Sequence, residues 1–254
     1  ETKLTRDGNG AIMRNWKHKS GTPEHVDFTV QDRAGWEELI KPHLLDTSRI
    51  HERVRVDEFR ADMQRAHDAD RFYSWCGGNV FECLHPVCGH EYMLMGMALD
   101  PDWVLDMANT YAELIITGFE TLFAEAGKPD GMFFYEDMGF KEKPFMSPAM
   151  YKATIWPAHK RLFDFCHSHD LPVIVHSCGF VDALIPGLIE AGMDCLQAME
   201  VKAGMDLVDL VAKYGEHITF YGGMDVRTMV ANDKAAIEAE LRRKLPAAME
   251  SGGY

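Results

Sequence analysis

Pro172-Val173-Ile174-Val175-His176-Ser177-Cys178-Gly179 is an apolar run that stops abruptly in an imidazole, a thiol and a glycine. It follows a helical pattern ending in His167-Ser168-His169-Asp170, and its Val-Ile-Val centre between breakers predicts a buried strand. His176 and Cys178 then sit at the carboxyl end of that strand. Strand residues two apart point to the same side, so this imidazole and this thiol can reach one ion together. Either residue alone is more often packed or hydrogen-bonded than ligating. The pair, with Gly179 leaving room behind it, is what makes a metal site a candidate.

The same rhythm extends outward. Short apolar runs at 72–75, 132–135, 173–175, 195–198 and 218–221 alternate with helical patterns and predict a parallel sheet. The intervening helices are expected at 81–98, 103–126, 181–191, 207–214 and 234–249. Asp100-Pro101 opens the second of these as cap and first-turn proline, and Ser147-Pro148 opens another helix in the same way. Such repetition gives an open doubly wound sheet or a (β/α)8 barrel. A dinucleotide-binding sheet would carry a Gly-rich turn after its first strand, which Cys76-Gly77-Gly78-Asn79 only approximates, and no Walker sequence is present. The expected fold is therefore α/β, a (β/α)8 TIM barrel, with its chemistry at the carboxyl ends of the strands.

Ahead of the barrel, Asp7-Gly8-Asn9-Gly10 between runs containing Thr and Ile predicts a β-hairpin over 3–17. Ser20-Gly21-Thr22-Pro23 breaks the chain, a short helix opens at Asp32 and ends at Pro42, and another covers 56–67. One domain is expected over 1–254, with a ribbon at 1–30 and barrel βα units over 70–254. The chain begins at Glu1 rather than Met and stops at Gly252-Gly253-Tyr254, where a Gly pair announces a new strand or loop, so the barrel reads as truncated at both ends.

The 254 residues are 46% hydrophobic, enough for a sizeable core, and carry a formal charge of -14. That charge, without any basic stripe, argues against a nucleic-acid partner. No apolar run approaches the roughly 20 residues needed to span a bilayer, and no signal-peptide pattern opens the chain, so no membrane partner and a cytoplasmic location are expected. The six cysteines fall at irregular spacing, unlike a secreted disulfide framework, and are expected to be reduced.

Beyond His176 and Cys178, the strand-end acids are the candidates for chemistry. Glu200 lies just past the 195–198 run, one strand around the mouth; alone it would read as a loop acid or a partner of Lys202. Glu136 and Asp137 follow the 132–135 run and are expected to face the mouth as substrate contacts or a general base, with a capping or loop role before the Ser147 helix as the alternative. Asp225, after Gly222-Gly223, is expected to contact substrate or a metal-bound group, with helix capping as its alternative. Cys83, His85, Cys88 and His90 resemble a metal set by count, but they fall in a helical pattern where 83 and 88 do not share a face, which favours packing. Of the sixteen methionines, Met138, Met199 and Met224 near the mouth could line a pocket, although core filling is the commoner use.

His176-Ser177-Cys178-Gly179, Glu200, Tyr221-Gly222-Gly223-Met224-Asp225 and the terminal Gly252-Gly253-Tyr254 together resemble the uroporphyrinogen decarboxylase superfamily of (β/α)8 barrels, over residues 70–254. Within it, the His-x-Cys pair resembles the zinc-dependent branch that moves methyl groups from corrinoid (cobalamin) proteins to thiols. The resemblance extends distantly to cobalamin-independent methionine synthase, whose zinc set is His-x-Cys, a Glu about two dozen residues on, and a distant Cys. It implies Zn2+ on His176, Cys178 and Glu200, and a further soft ligand of the order of a few to a dozen residues beyond Tyr254. The implied function is a zinc-dependent methyltransferase in which a metal-activated thiol attacks a methyl group carried on a corrinoid protein, with a small-molecule thiol substrate. Two alternatives stand beside it. One is a cofactor-free uroporphyrinogen decarboxylase, although the arginine-rich segment and loop aspartate of those enzymes are not visible here. The other is a non-catalytic barrel that binds zinc structurally or docks a corrinoid protein.

Overall fold

The computed structural model describes residues 1–21 and 23–250. Its first three strands, β1 (Thr2–Arg6), β2 (Ile12–Trp16) and β3 (Glu24–Asp27), form an antiparallel ribbon in that order. The hairpin turn closes as expected: the Asp7 carboxylate accepts the Asn9 and Ala11 N–H groups, each at 2.9 Å. β3 adds a strand where the sequence reading places none, because all four of its residues are exposed and carry no apolar alternation.

The framework is a second sheet of five strands, β4 (Ser74–Gly78), β5 (Gly131–Tyr135), β6 (Val173–Ser177), β7 (Cys195–Ala198) and β8 (Thr219–Gly222). They lie in sequence order and every neighbouring pair is parallel. Helices return the chain between them, so these are consecutive βα units that make an arc of a (β/α)8 barrel. Met132, Phe134, Val173, Val175, Leu196 and Phe220 are buried on one face of the sheet, against the helices. Alternation puts the other parity on the inner face, and the register lines up Gly78, Tyr135, His176, Gln197 and Tyr221 in one row across it.

The outer helices are set by local chemistry. The Asp100 carboxylate accepts the Trp103 N–H and Pro101 fills the first turn of the Pro101–Ala126 helix, whose buried stripe includes Trp103, Met107, Tyr111, Phe119 and Leu122. Ser147 caps the Pro148–Thr154 helix in the same way, through the Met150 N–H. No helix among the described residues is long and apolar enough to cross a membrane.

Two expectations are corrected. β4 begins two residues late and runs on through Cys76-Gly77-Gly78, past Trp75, the expected end of the strand. Pairing with β5 keeps those glycines extended, and a Cβ at Gly77 would run into the Trp75 ring, 2.6 Å from its Cζ2 atom; that ring packs on Phe119 and Phe134. The helix expected at 81–98 spans Val80–Leu99 but is broken at Gly89, where φ is +71° and ψ 162°. There the ring of Phe28, just past the ribbon, lies where a side chain would be: a Cβ at Gly89 would sit 2.9 Å from Phe28 Cδ2. Gly89→Ala is expected to lower stability by about 2–3 kcal/mol in urea denaturation, from the left-handed backbone and displacement of Phe28 together. A loss under about 0.5 kcal/mol would show that this joint is not anchored by the close approach.

Candidate metal centre

His176 is the penultimate residue of β6, on the inner face, and Cys178, two residues on, keeps the same parity. β5 runs beside β6 in parallel with Tyr135 opposite His176, so Asp137 emerges beside Cys178. The Asp137 carboxylate accepts the Cys178 N–H at 2.7 Å. His176 Nε2 lies 3.3 Å from Cys178 Sγ and 3.5 Å from Asp137 Oδ1. All three donor atoms fall within 4.8 Å of one another, the one such grouping among the described residues. A tetrahedral ion with bonds of about 2.0–2.3 Å places its ligand atoms roughly 3.3–3.8 Å apart, so the nitrogen, sulfur and oxygen fit a zinc-like ion with little movement. Tyr135 and Phe133 flank the imidazole at 5.3 and 6.3 Å.

Close backbone packing holds the two loops. Phe180 N–H donates to Phe140 O at 2.7 Å, and Met138 N–H to the Ser177 hydroxyl at 3.1 Å. Gly139 and Gly179 meet where the loops cross; a Cβ on Gly139 would stand 2.8 Å from Gly179 Cα, and Gly179 itself has φ +76°. Burial pushes the Cys178 thiol up to about 11, with the Asp137 and Glu200 charges adding to the effect. The thiol thus keeps its proton among these acids until a cation offsets them.

Of the expected ligands, His176 and Cys178 are brought together, and Asp137 rather than Glu200 completes the group. Glu200 is close but engaged: one oxygen accepts the Gly179 N–H at 2.7 Å and the other pairs with Lys202 at 2.9 Å. Those two partners, Lys202 first, lower its pKa. Its position follows from Ala198 and Met199, consecutive non-glycine residues at φ +104° and +51° that turn the chain sharply after β7.

Glu136 does not face the mouth. It is fully buried, because strand alternation continues past Tyr135 and turns Glu136 toward the helices while Asp137 turns inward. Its oxygens accept the Phe81 and Glu82 N–H groups, each at 2.9 Å, at the start of the Val80–Leu99 helix, and one also meets His159 Nε2 at 2.5 Å. Tyr151 completes the buried chain through His159 Nδ1 at 2.9 Å. Asp225 caps the Val226–Ala231 helix and pairs with Arg227, which brings its pKa down to about 2. Asp225 thus takes the helix-capping role weighed against catalysis in the sequence, while Glu136 serves the start of the Val80–Leu99 helix rather than a capping or loop role before the Ser147 helix. Met138 and Met199 are core residues.

Cys83, His85, Cys88 and His90 form no metal group, although the break at Gly89 stacks the two imidazoles at 4.6 Å. His85 pairs with Glu82, and burial lowers His90 to about 4. The sequence reading passes over Gln197, which lies beside His176 in the inner row and meets His176 Nδ1 through its side-chain oxygen. Parallel register between the two predicted strands is the signal that finds it. Gly252-Gly253-Tyr254, part of the resemblance, lie outside the described residues.

The family model for uroporphyrinogen decarboxylase (URO-D) matches residues 86–254. Among solved structures, a methyltransferase from Methanosarcina mazei is similar with a TM-score of 0.70 at 16% identity, over 94% of this chain and 67% of that one. At that identity the likeness is one of fold. No curated protein matches the sequence.

Two predictions separate ligands from supports. In cobalt(II) titrations, His176→Ala and Cys178→Ser should abolish the thiolate-to-metal absorption band, and Asp137→Ala should weaken binding at least tenfold, more than Glu200→Gln does. The reverse order for the two acids would move the oxygen ligand to Glu200. Glu136→Gln, which turns an amide NH2 toward buried donors, should lower stability by about 2–4 kcal/mol in urea denaturation. Unchanged stability would mean that the buried chain contributes nothing to the fold.

Proposed function

The chain belongs to the uroporphyrinogen decarboxylase family, and on that premise we propose that it is a methyltransferase that activates a small-molecule thiol on zinc and methylates it from a corrinoid protein. The observation that carries this reading is the imidazole, thiol and carboxylate gathered at the strand ends. A mixed N, S and O set of this spacing suits zinc better than magnesium or calcium, which favour oxygen donors. Cofactor-free decarboxylation has no use for a His-x-Cys pair.

His176, Cys178 and Asp137 would hold the ion, with Glu200 within reach of the same loop through Gly179. Zinc bound there supplies one thing, deprotonation of a coordinated thiol at neutral pH. The chain does the rest. The Gly139 and Gly179 crossing and the Asp137 bond to Cys178 N–H hold the donors in place before substrate arrives. Tyr135 and Tyr221, 44% and 59% exposed, stand on the inner row to either side of His176 and Gln197, offering ring faces to substrate and displacing water. The thiol sulfur forms a bond to the methyl carbon as the carrier keeps the bonding electron pair, and the thiol proton leaves to solvent.

Purified protein should contain zinc, its zinc-edge spectrum should gain a sulfur neighbour when a thiol is added, and it should transfer methyl groups from a methylated corrinoid. His176→Ala should reduce transfer at least 100-fold, since it removes both a ligand and the orientation of the others. Metal-free protein that converts uroporphyrinogen to coproporphyrinogen would replace this reading with the decarboxylase. A zinc spectrum indifferent to thiol would indicate a closed structural site.

A further inference from the structure

We propose that Gln197 is a positioning residue that sets the tautomer of His176 and so aims its metal-binding nitrogen; this rests on the zinc reading above. A neutral imidazole has one N–H and one lone pair. The Gln197 side-chain oxygen, which only accepts, meets Nδ1, so the proton belongs on Nδ1. The lone pair then falls on Nε2, the atom that faces Cys178 Sγ at 3.3 Å and Asp137 Oδ1 at 3.5 Å. With the opposite tautomer, an N–H would point into the donor group and occupy the place of an ion.

The sheet fixes the arrangement. Gln197 pairs with His176 in the parallel register of β6 and β7, so both side chains leave the same face at the same level. On the far side of the ring, Tyr135 packs edge-on at 5.3 Å, which leaves the imidazole held between an aromatic wall and the amide. The residue type is also informative. Metal-ligating histidines commonly donate their second N–H to a carboxylate or carbonyl. This site already holds Asp137 and Glu200, and an amide orients the ring without a third negative charge.

Two variants and two readouts test the assignment. Gln197→Met keeps the side chain's length and removes the acceptor; Gln197→Glu keeps an acceptor. Competition against a chelator should show zinc affinity falling about 10–100-fold in Gln197→Met and staying within about threefold in Gln197→Glu. Long-range proton–nitrogen spectra of the metal-free wild type should show His176 protonated at Nδ1, with that signature lost in Gln197→Met and kept in Gln197→Glu. A merely structural role would not move the imidazole signature. Wild-type His176 protonated at Nε2, or zinc affinity unchanged in Gln197→Met, would overturn the inference. A wild type that binds no zinc would sink the proposed function instead, while the imidazole spectrum would still decide what Gln197 does to the ring.

Discussion

Gly139 packs against Gly179 where the loops leaving β5 and β6 cross, and this contact sets how near Asp137 can come to Cys178. Neither position has room for a side chain. Parallel strands send their loops out of the same sheet edge, so the two loops lie side by side and bond backbone to backbone at Phe140 and Phe180. The donor group follows from that geometry: His176 lies at the carboxyl end of its strand, paired with Tyr135, and Cys178 and Asp137 each lie two residues beyond that pair. A site built this way sits on strand ends rather than on a free loop, which keeps its donors close to the spacing an ion needs.

Consecutive acids divide the labour at the end of β5. Asp137 faces the donor group, while Glu136 turns to the opposite side and receives the first N–H groups of the Val80–Leu99 helix. A carboxylate at a helix N-terminus is favoured by the unpaired amides and by the helix dipole. His159 and Tyr151 extend this polar chain into the core, where each group has a partner and the burial is tolerable. The end of β5 is thereby fixed from behind. Glu200 is held differently, by a strained turn at Ala198 and Met199 and by two partners near the surface.

The electrostatics of the site agree with the charge of the whole chain. Two carboxylates and a thiol share one mouth in a protein of net charge -14. Such a field repels anions and draws cations, and it adds to the burial that chiefly raises the Cys178 thiol.

The sequence alone determined the βα rhythm, because a buried parallel strand must be a short apolar run between breakers, and that pattern is local. It likewise determined the caps at Asp100 and Ser147, the hairpin turn at Asp7, and the His176 and Cys178 pair, all of which depend on neighbours a few residues away. The opposite facing of Glu136 and Asp137 was also present in the period-two alternation of β5. Only the tertiary structure decided that Cys76-Gly77-Gly78 is strand, since its extension comes from pairing with β5, and that the helix breaks at Gly89, since Phe28 arrives from outside it. It alone seated Asp137 in the donor group and engaged Glu200 with Gly179 and Lys202. Asp137 and Cys178 are 41 residues apart, and what joins them is the register of two strands and the crossing of two glycine loops, neither of which leaves a mark in local sequence.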